Sequence, residues 1–583
     1  MVDKHISAKF EREEVKIQTL HQQKASDSKI EMDAEYEEEL YALNDSELFS
    51  ESESMMLDEK DSDHLLDSSS DEDDLENGSD NQQKTTKDLK WIECQNGWQP
   101  TWLKPFEGPV SGPSSAVPKE MPNVLDYFTL YFDNEIIEHL VTETNRYAEQ
   151  FFKKTPQKKQ SSYYDSWNGC TASDIKCYLA LLLHMGLCKM PRIECHWRSD
   201  ALYNCPLCPN IMRKNEFMRL HKFFHAADNR NDTKQDKLFK IREVLNLLLK
   251  RYKKYYDLGK QITIDEKMIK FTGKITFRQH MPKKPTRFGF KVFLLCDAAS
   301  GYIYNWKFYT GKDYGAESKN TAYSVVTELV NGLEGRGHHL FCDSYFSYME
   351  TVQQTAAKSI GYTGTVNKAR LFLPDEIKNP KKLKRGESVF RRNGNTMVCV
   401  YKDRKEIRVV SNMHGNRRDN LRPQALNDYQ TYMRGVDVSN QNCSYYHHEH
   451  KQLKWWKTLF IGVLEMTIAN AHQIYQFRNR VFPLTQLRFR ELLVAQLLET
   501  SMRDRQVYAL HRERRIVMGM HELSRGNGQK NCGYCSSKKK RKKTSFYCKT
   551  CDVALCVTPC FYKYHTEVQI SPRKKDKYKN HGK

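Results

Sequence analysis

HHLFCDSYFS, residues 338–347, reads as an apolar strand that runs straight into an acid: Leu340, Phe341 and Cys342 are followed by Asp343, and then by Tyr345 and Phe346. A carboxylate buried in such a setting costs several kcal/mol unless a cation or hydrogen-bond donor meets it. KQITIDEKMIKF, residues 260–271, repeats the pattern, with Asp265 directly after Ile262, Thr263 and Ile264. Two strands of one sheet that end on carboxylates side by side raise each other's pKa. A Mg²⁺ ion reverses that penalty, because hard cations take oxygen ligands from one or two carboxylates, waters and phosphate. A third acid, Asp437, stands in MRGVDVSNQ, residues 433–441. Any one of these aspartates taken alone also fits a turn former or a helix N-cap. Glu266 and Asp297 compete for the same role. Strand alternation predicts that Glu266 points away from Asp265, and CDAASGY, residues 296–302, reads as a hairpin turn.

The flanking sequence supports an α/β sheet. KITFRQHM (274–281), RFGFKVFLLCDA (287–298) and GYIYNWKFYTG (301–311) are rich in β-branched and aromatic residues, with turn signals between them. TAYSVVTELVNGLEGRG (321–337) is a helix that stops at glycines, and SYMETVQQTAAKSIG (347–361) is a second helix after the Asp343 strand. Strands, helix, strand, helix is the order of a mixed α/β layer. GESVFRRNGNTMVCVYKDRKEIRVVSNMH (386–414) interrupts it as a small β-meander with a hairpin turn at Asn393-Gly394. Amphipathic helices precede the sheet, as in NVLDYFTLYFDNEIIEHLVTETNRYAEQFF (123–152), and return in the long apolar KWWKTLFIGVLEMTIANAHQIYQFRNR (454–480).

Charge divides the chain. The formal net charge is +20, yet residues 31–80 carry 21 Asp and Glu against one Lys. The remainder holds 92 basic and 52 acidic side chains, a net of +40, which points to a polyanion such as nucleic acid as partner. The acidic, serine-rich start has too little apolar surface to offset its ordering entropy and reads as disordered to about residue 90. It serves as a solubilising tail, a phosphorylation target or a DNA mimic. KPFEGPVSGPSSAVPKEMP (104–122) reads as a linker. Mean hydropathy is −0.75, and no apolar run reaches the ~18 residues of a membrane span. A soluble intracellular protein is expected, and its 17 cysteines then favour free thiols and metal ligands over disulfides.

NCGYCSSKKKRKKTSFYCKTCDVALCVTPCFYKYHTE, residues 531–567, holds Cys532-x-x-Cys535 and Cys548-x-x-Cys551, then Cys556, Cys560 and His565. Paired CxxC at this separation is a strong zinc signal. Seven ligands exceed one site and fall one short of two. Lys538, Lys539, Lys540, Arg541, Lys542 and Lys543 form a basic loop between the pairs, suited to phosphate contact or nuclear import. Trp455 and Trp456 open the long helix, either as core residues or as platforms on which a base stacks.

Taken together, TIDEKMIKFTGK, RFGFKVFLLCDAASGY, LFCDSYFS, GYTGTV with NKAR, RGVDVSNQ and the cysteine-rich end closing on FYKYHT resemble the piggyBac transposases and their domesticated relatives, over roughly residues 120–566. The resemblance implies a multidomain α/β protein. Its RNase H-like catalytic domain (259–365 and 427–447) carries a β-rich insertion (366–426). Helical dimerisation and DNA-binding segments (123–258 and 448–510) flank it. A disordered acidic region and linker (1–122) lead in. A linker (511–531), a cross-brace zinc domain (532–566) and a basic tail (567–583) follow. By motif, Asp265, Asp343 and Asp437 are the catalytic acids and bind two Mg²⁺ ions, and Trp455 matches a tryptophan near the family's active site.

In the family's cross-brace, Cys532, Cys535, Cys556 and Cys560 surround one Zn²⁺, and Cys548, Cys551 and His565 hold a second. His521 is the candidate eighth ligand, or else a surface histidine. The implied activity is cut-and-paste transposition in the nucleus by a homodimer on double-stranded DNA, through hairpins on the transposon ends, from terminal inverted repeats into TTAA targets. The zinc domain reads the inverted repeats in the family, although a module of this shape also suits a histone or a ubiquitin-pathway protein. One departure stands out: the family's fourth aspartate, three residues after the third, is Asn440 here, and the first glycine of its GGVD is Arg434. An amide offers an oxygen but no charge. The alternative reading is therefore a domesticated DNA- or chromatin-binding protein that has lost catalysis.

Overall fold

The computed structural model describes residues 89–156, 162–165, 167–282, 284–311, 321–481, 483–504, 523–538, 540–548, 553–557 and 560–566. The acidic N-terminal region and the basic tail lie outside these residues.

A ten-stranded mixed sheet forms the centre. Its strands are β1 (Ile92–Glu93), β2 (Gln261–Lys270), β3 (Gln279–His280), β4 (Phe288–Asp297), β5 (Ile303–Phe308), β6 (His339–Cys342), β7 (Gly361–Thr365), β8 (Ser388–Asn393), β9 (Thr396–Lys402) and β10 (Glu406–Ser411). β2 carries Ile262, Ile264 and Ile269 into the core, and β4 is buried from Val292 to its end, as expected of strands covered on both faces. β2 pairs antiparallel with β4 and parallel with β6, which in turn pairs parallel with β7. Together with β5 on the far edge of β4, these five strands lie in the order β5-β4-β2-β6-β7, which is 3-2-1-4-5 when the five are counted along the chain, the RNase H-like arrangement.

Four parts of the sequence reading are revised. The meander does not interrupt the sheet but extends it: Val409, Val410 and Ser411 of β10 pair with Thr365, Gly364 and Thr363 of β7. Its hairpin turn falls one residue later than expected, on Gly394-Asn395, because Asn393 pairs with Thr396 and Gly394 supplies the positive φ of 55°. Of the predicted strand 274–281 only β3 pairs, since Phe277 turns inward against Phe290 and Trp455.

Nor is 104–122 a free linker. Gly112 and Pro113 pair with Asp257 and Tyr256, Ser111 Oγ donates to Asp297 Oδ2 at 2.8 Å, and Ser114 Oγ donates to the Lys254 carbonyl at 2.6 Å. β1, further upstream, closes the meander's outer edge on β8.

Helices α1 (Val124–Thr129), α2 (Asn134–Lys154), α3 (Ala172–Leu187), α4 (Lys214–Phe223) and α5 (Arg242–Lys254) precede the sheet. α6 (Thr321–Leu329) and α7 (Met349–Ala357) lie within it. α8 (Gln424–Tyr432), α9 (Gly435–Ser444), α10 (Trp455–Arg478) and α11 (Gln486–Asp504) follow. Asp133 caps α2 by accepting from Ile136 N–H at 3.2 Å and also meets Arg251 at 2.7 Å; such a cap contributes about 1 kcal/mol. Helices from both sides of the sheet sequence pack together. The Gln496 side chain of α11 accepts from Leu125 N–H of α1 at 2.8 Å, and Tyr252 of α5 meets Thr467 of α10 at 2.9 Å. α10 is buried along most of its length. Its Asn470 imitates a neighbouring strand, accepting from Ile303 N–H and donating to the Ile303 carbonyl, both at 2.8 Å, which seals the β5 edge. No described helix is long and apolar enough to cross a membrane.

The C-terminal module consists of β11 (Leu523–Asn531), β12 (Lys543–Cys548) and β13 (Val553–Ala554), with α12 (Gly533–Ser537) and α13 (Cys560–Thr566). Its strands form a separate three-stranded sheet.

Candidate functional site

The parallel register of β2 and β6 sets up the acid cluster. Ile264 lies opposite Cys342, so Asp265 and Asp343 occupy the next level on neighbouring strands. β6 stops there, but β2 continues to Lys270 along β4, so Asp265 is a mid-strand residue and not a strand-end one. Carboxylate oxygens of Asp265, Glu266 and Asp343 all lie within 4.8 Å of one another. That corrects the expectation for Glu266. Beyond Cys342 the edge of β2 no longer faces β6, and the longer glutamate arm has room to turn toward the two aspartates. Its N–H donates to Asp265 Oδ1 at 2.8 Å, and its carboxylate meets Lys284 Nζ at 2.7 Å. Asp343 Oδ1 accepts from Tyr345 N–H at 3.0 Å.

Burial, reinforced by the charges of Glu266 and Asp343, pushes the Asp265 carboxyl up to about 8. Burial and then Glu266 push Asp343 up to about 6. Burial acts the same way on Glu266 but is outweighed by Lys291 and Lys284, which hold it low. Three carboxylates, two of them disfavoured as anions, form a hard oxygen donor set that suits a divalent cation.

α9 lies across β2 at Gly435, where a Cβ would come within 2.7 Å of Thr263 Oγ1 and 2.8 Å of the Asp297 carbonyl. Only glycine permits this approach. Asp437 lies on the first turn of α9, exposed, and outside the group of acids that close to within 4.8 Å. Asn440, one turn on, faces β2: its Oδ1 accepts from Lys267 Nζ at 3.3 Å and its amide nitrogen donates to the Glu266 carbonyl at 3.4 Å. Lys267 is buried and lies two residues from Asp265, hence on the same face of the strand. A lysine–asparagine pair thus ties α9 to β2. Asp297 is structural: it closes the β4–β5 hairpin, accepting from Ala299 N–H, Ser300 N–H and Ser300 Oγ.

Trp456 is core, 1% exposed, against Phe224 and His225. Trp455 is half-buried against Phe277 and Phe290.

In the C-terminal module the sulfurs of Cys532, Cys535, Cys556 and Cys560 lie within 4.8 Å of one another. Cys532 Sγ accepts from the N–H groups of Cys535 at 3.5 Å and Cys556 at 3.4 Å. Burial raises the Cys532 thiol, but these donors more than offset it and hold it below its ordinary range. Four thiols so arranged fit the closed tetrahedral site of Zn²⁺, with Zn–S near ~2.3 Å. Cys548 is buried on β12 and is not in this group. Cys551, His521, the His565 side chain and Lys539 lie outside the described residues. Lys538, Lys540, Arg541, Lys542 and Lys543 are exposed.

Residues 124–472 match the family model described as Transposase IS4, and residues 518–566 match a DDE_Tnp_1-like zinc finger. Human piggyBac transposable element-derived protein 3 is 26% identical over 499 residues, covering 80% of each chain. Human piggyBac transposable element-derived protein 2 is 25% identical over 445 residues, covering 70% of this chain and 72% of that one. Among solved structures, a piggyBac transposase synaptic complex with hairpin DNA superposes with a TM-score of 0.63 at 22% identity, over 77% of this chain and 98% of that one.

Proposed function

The chain belongs to the piggyBac transposase family, and from that premise we propose that it is a DNA transposase acting by metal-dependent phosphodiester hydrolysis and strand transfer. The convergence of Asp265, Glu266 and Asp343 carries the reading. Asp265 and Asp343 would hold the catalytic Mg²⁺ ions, with Asp437 on the first turn of α9 as the third candidate ligand. When bound, the ions lower the pKa of the attacking water or 3′-hydroxyl and neutralise charge on the leaving oxygen. Lys284 and Lys291 restrain Glu266 as an anion and keep positive charge beside the path of the scissile phosphate. The substrate is double-stranded DNA with terminal inverted repeats, cut through a hairpin intermediate and joined at TTAA by a homodimer in the nucleus. The C-terminal module holds two Zn²⁺ ions and reads the repeats, with the loop 538–543 on phosphates.

A specific contact favours a second reading, a domesticated DNA-binding protein without turnover. Asn440 puts an uncharged amide where the resemblance expects a carboxylate, and Lys267 Nζ donates to that amide at 3.3 Å. Excision from a donor plasmid separates the two. Wild-type activity abolished by Asp343→Ala establishes the enzyme. An inactive wild type revived by Asn440→Asp, alone or with Lys267→Gln, establishes the lapsed one.

A further inference from the structure

A second cluster of soft ligands lies in the helical part of the body. His184, on the last turn of α3, sets its Nε2 3.1 Å from Cys205 Sγ. His196 joins them from the short helix Ile193–Trp197, and the ligand atoms of the three residues lie within 4.8 Å of one another. Cys188 and Cys208 influence the Cys205 thiol electrostatically, although neither belongs to the group that closes to within 4.8 Å. Cys188 is the C-cap of the helix that carries His184, its N–H donating to the His184 carbonyl, and Cys205-Pro-Leu-Cys208 is a CxxC motif. The Nδ1 of His196 is buried and has no hydrogen-bond partner among the described residues, while its Nε2 lies 3.4 Å from His450 Nε2. A fully buried ring nitrogen left unpaired is costly. Coordination removes that cost, and a second ring hydrogen-bonded behind a ligating histidine is the usual way such a ligand is oriented.

We propose that His184, His196 and Cys205 bind a zinc-class divalent cation, with Cys188 or Cys208 completing the tetrahedron. Mixed imidazole and thiolate donors at this spacing suit Zn²⁺, whose bonds are ~2.0–2.3 Å long, and the thiolates exclude the hard cation of the carboxylate site. The site is a staple. Its ligands come from sequence before the catalytic strands, but the residues laid against them come from after. Gly186 of α3 approaches so closely that a Cβ would fall 2.1 Å from the Tyr446 carbonyl, and Lys189 pairs with Glu449. The segment 445–454 carries the chain from α9, with Asp437 and Asn440, into α10. The ion therefore fixes the corner from which the active-site helix hangs, whether or not the chain cleaves DNA.

The full-length protein, purified in the presence of zinc and reductant, provides the test. With Cys532→Ser and Cys535→Ser removing the C-terminal tetrad, zinc bound to the helical site remains, and adding Cys205→Ser removes one further equivalent. Cobalt loaded into the same background gives the spectrum of mixed nitrogen and sulfur ligation. Zinc content unchanged by Cys205→Ser, or fully lost with the C-terminal substitutions, overturns the proposal. Should Cys205→Ser not fold, alkylation of the wild-type chain decides. Cys205 and Cys208 resist iodoacetamide until a chelator is added. Equal labelling without chelator, or a disulfide from Cys205 to Cys188 or Cys208 in the peptide map, rejects the site.

Discussion

The carboxylate cluster on the central sheet and the cysteine tetrad of the C-terminal module are both groups of metal-ligating side chains, but they stand in opposite relations to their folds. Asp265, Glu266 and Asp343 rest on a ten-stranded sheet with a large apolar core, which holds three acids together against their mutual repulsion. The module has almost no such core. Among its described residues the buried cluster is Cys532, Cys548, Leu555, Cys556, Cys560 and Tyr564, most of them cysteines. In the first region the fold imposes the site, and an ion bound there would relieve the repulsion. In the second the ion supplies the cohesion that apolar residues supply elsewhere.

The largest effect follows from that asymmetry. Chelation of zinc, or Cys532→Ser, should unfold the module, removing a metal contribution on the order of 10 kcal/mol. Protease protection of residues 523–566 should vanish while the thermal transition of the body persists. Protection that survives chelation breaks the comparison. Next in size is Asp343→Ala in the active reading: strand cleavage should fall by about 10³-fold or more, since a metal ligand is lost where charge develops. The metal-free body should melt no lower than wild type, because removing one of three like charges relieves repulsion.

The third prediction concerns pH. Asp265 and Asp343 have folded-state pKa values raised from 3.8 to about 8 and about 6. Above pH 4 the folded chain therefore retains protons that the unfolded chain has released. Stability of the metal-free body should then fall as pH rises through 6 to 8, and Mg²⁺ should flatten that slope. Urea titrations at pH 5 and 8, with EDTA and with Mg²⁺, measure this; a slope of the opposite sign contradicts the buried-acid account. The smallest effect is that of one exposed charge. Lys540→Ala should leave both folds intact and lower the salt-dependence slope of DNA binding by about one.

Much of this was legible beforehand. Ile262-Thr263-Ile264 and Leu340-Phe341-Cys342 announce strands by composition, and each hands the chain to an aspartate at once. The ligand spacing around Cys532 and Cys535 announces a soft-metal site, because CxxC geometry is local. Other features were not legible. Alternation places Glu266 on the far face from Asp265, but its longer arm reaches the two aspartates past the point where β6 ends. Lys267 carried no signal, because its significance lies in meeting Asn440, 173 residues away. The run 104–122 looked like a linker since its apolar content is low, yet it is tied down by hydrogen bonds from Ser111 and Ser114. Cys205-x-x-Cys208 carries the same local motif as the C-terminal module, but nothing in the spacing brings His184 and His196 to it.

The amino-acid sequence by itself determined the elements and the chemical character of the ligands, hard oxygen in the body and soft sulfur at the C-terminus, because propensity, periodicity and short motifs act over a few residues. Only the tertiary structure decided which acids meet and which does not. That outcome depends on the register of β2 against β6, on where β6 stops, and on how closely Gly435 lets α9 approach the sheet. Those are set by packing between segments tens to hundreds of residues apart, where no local preference of the chain reaches.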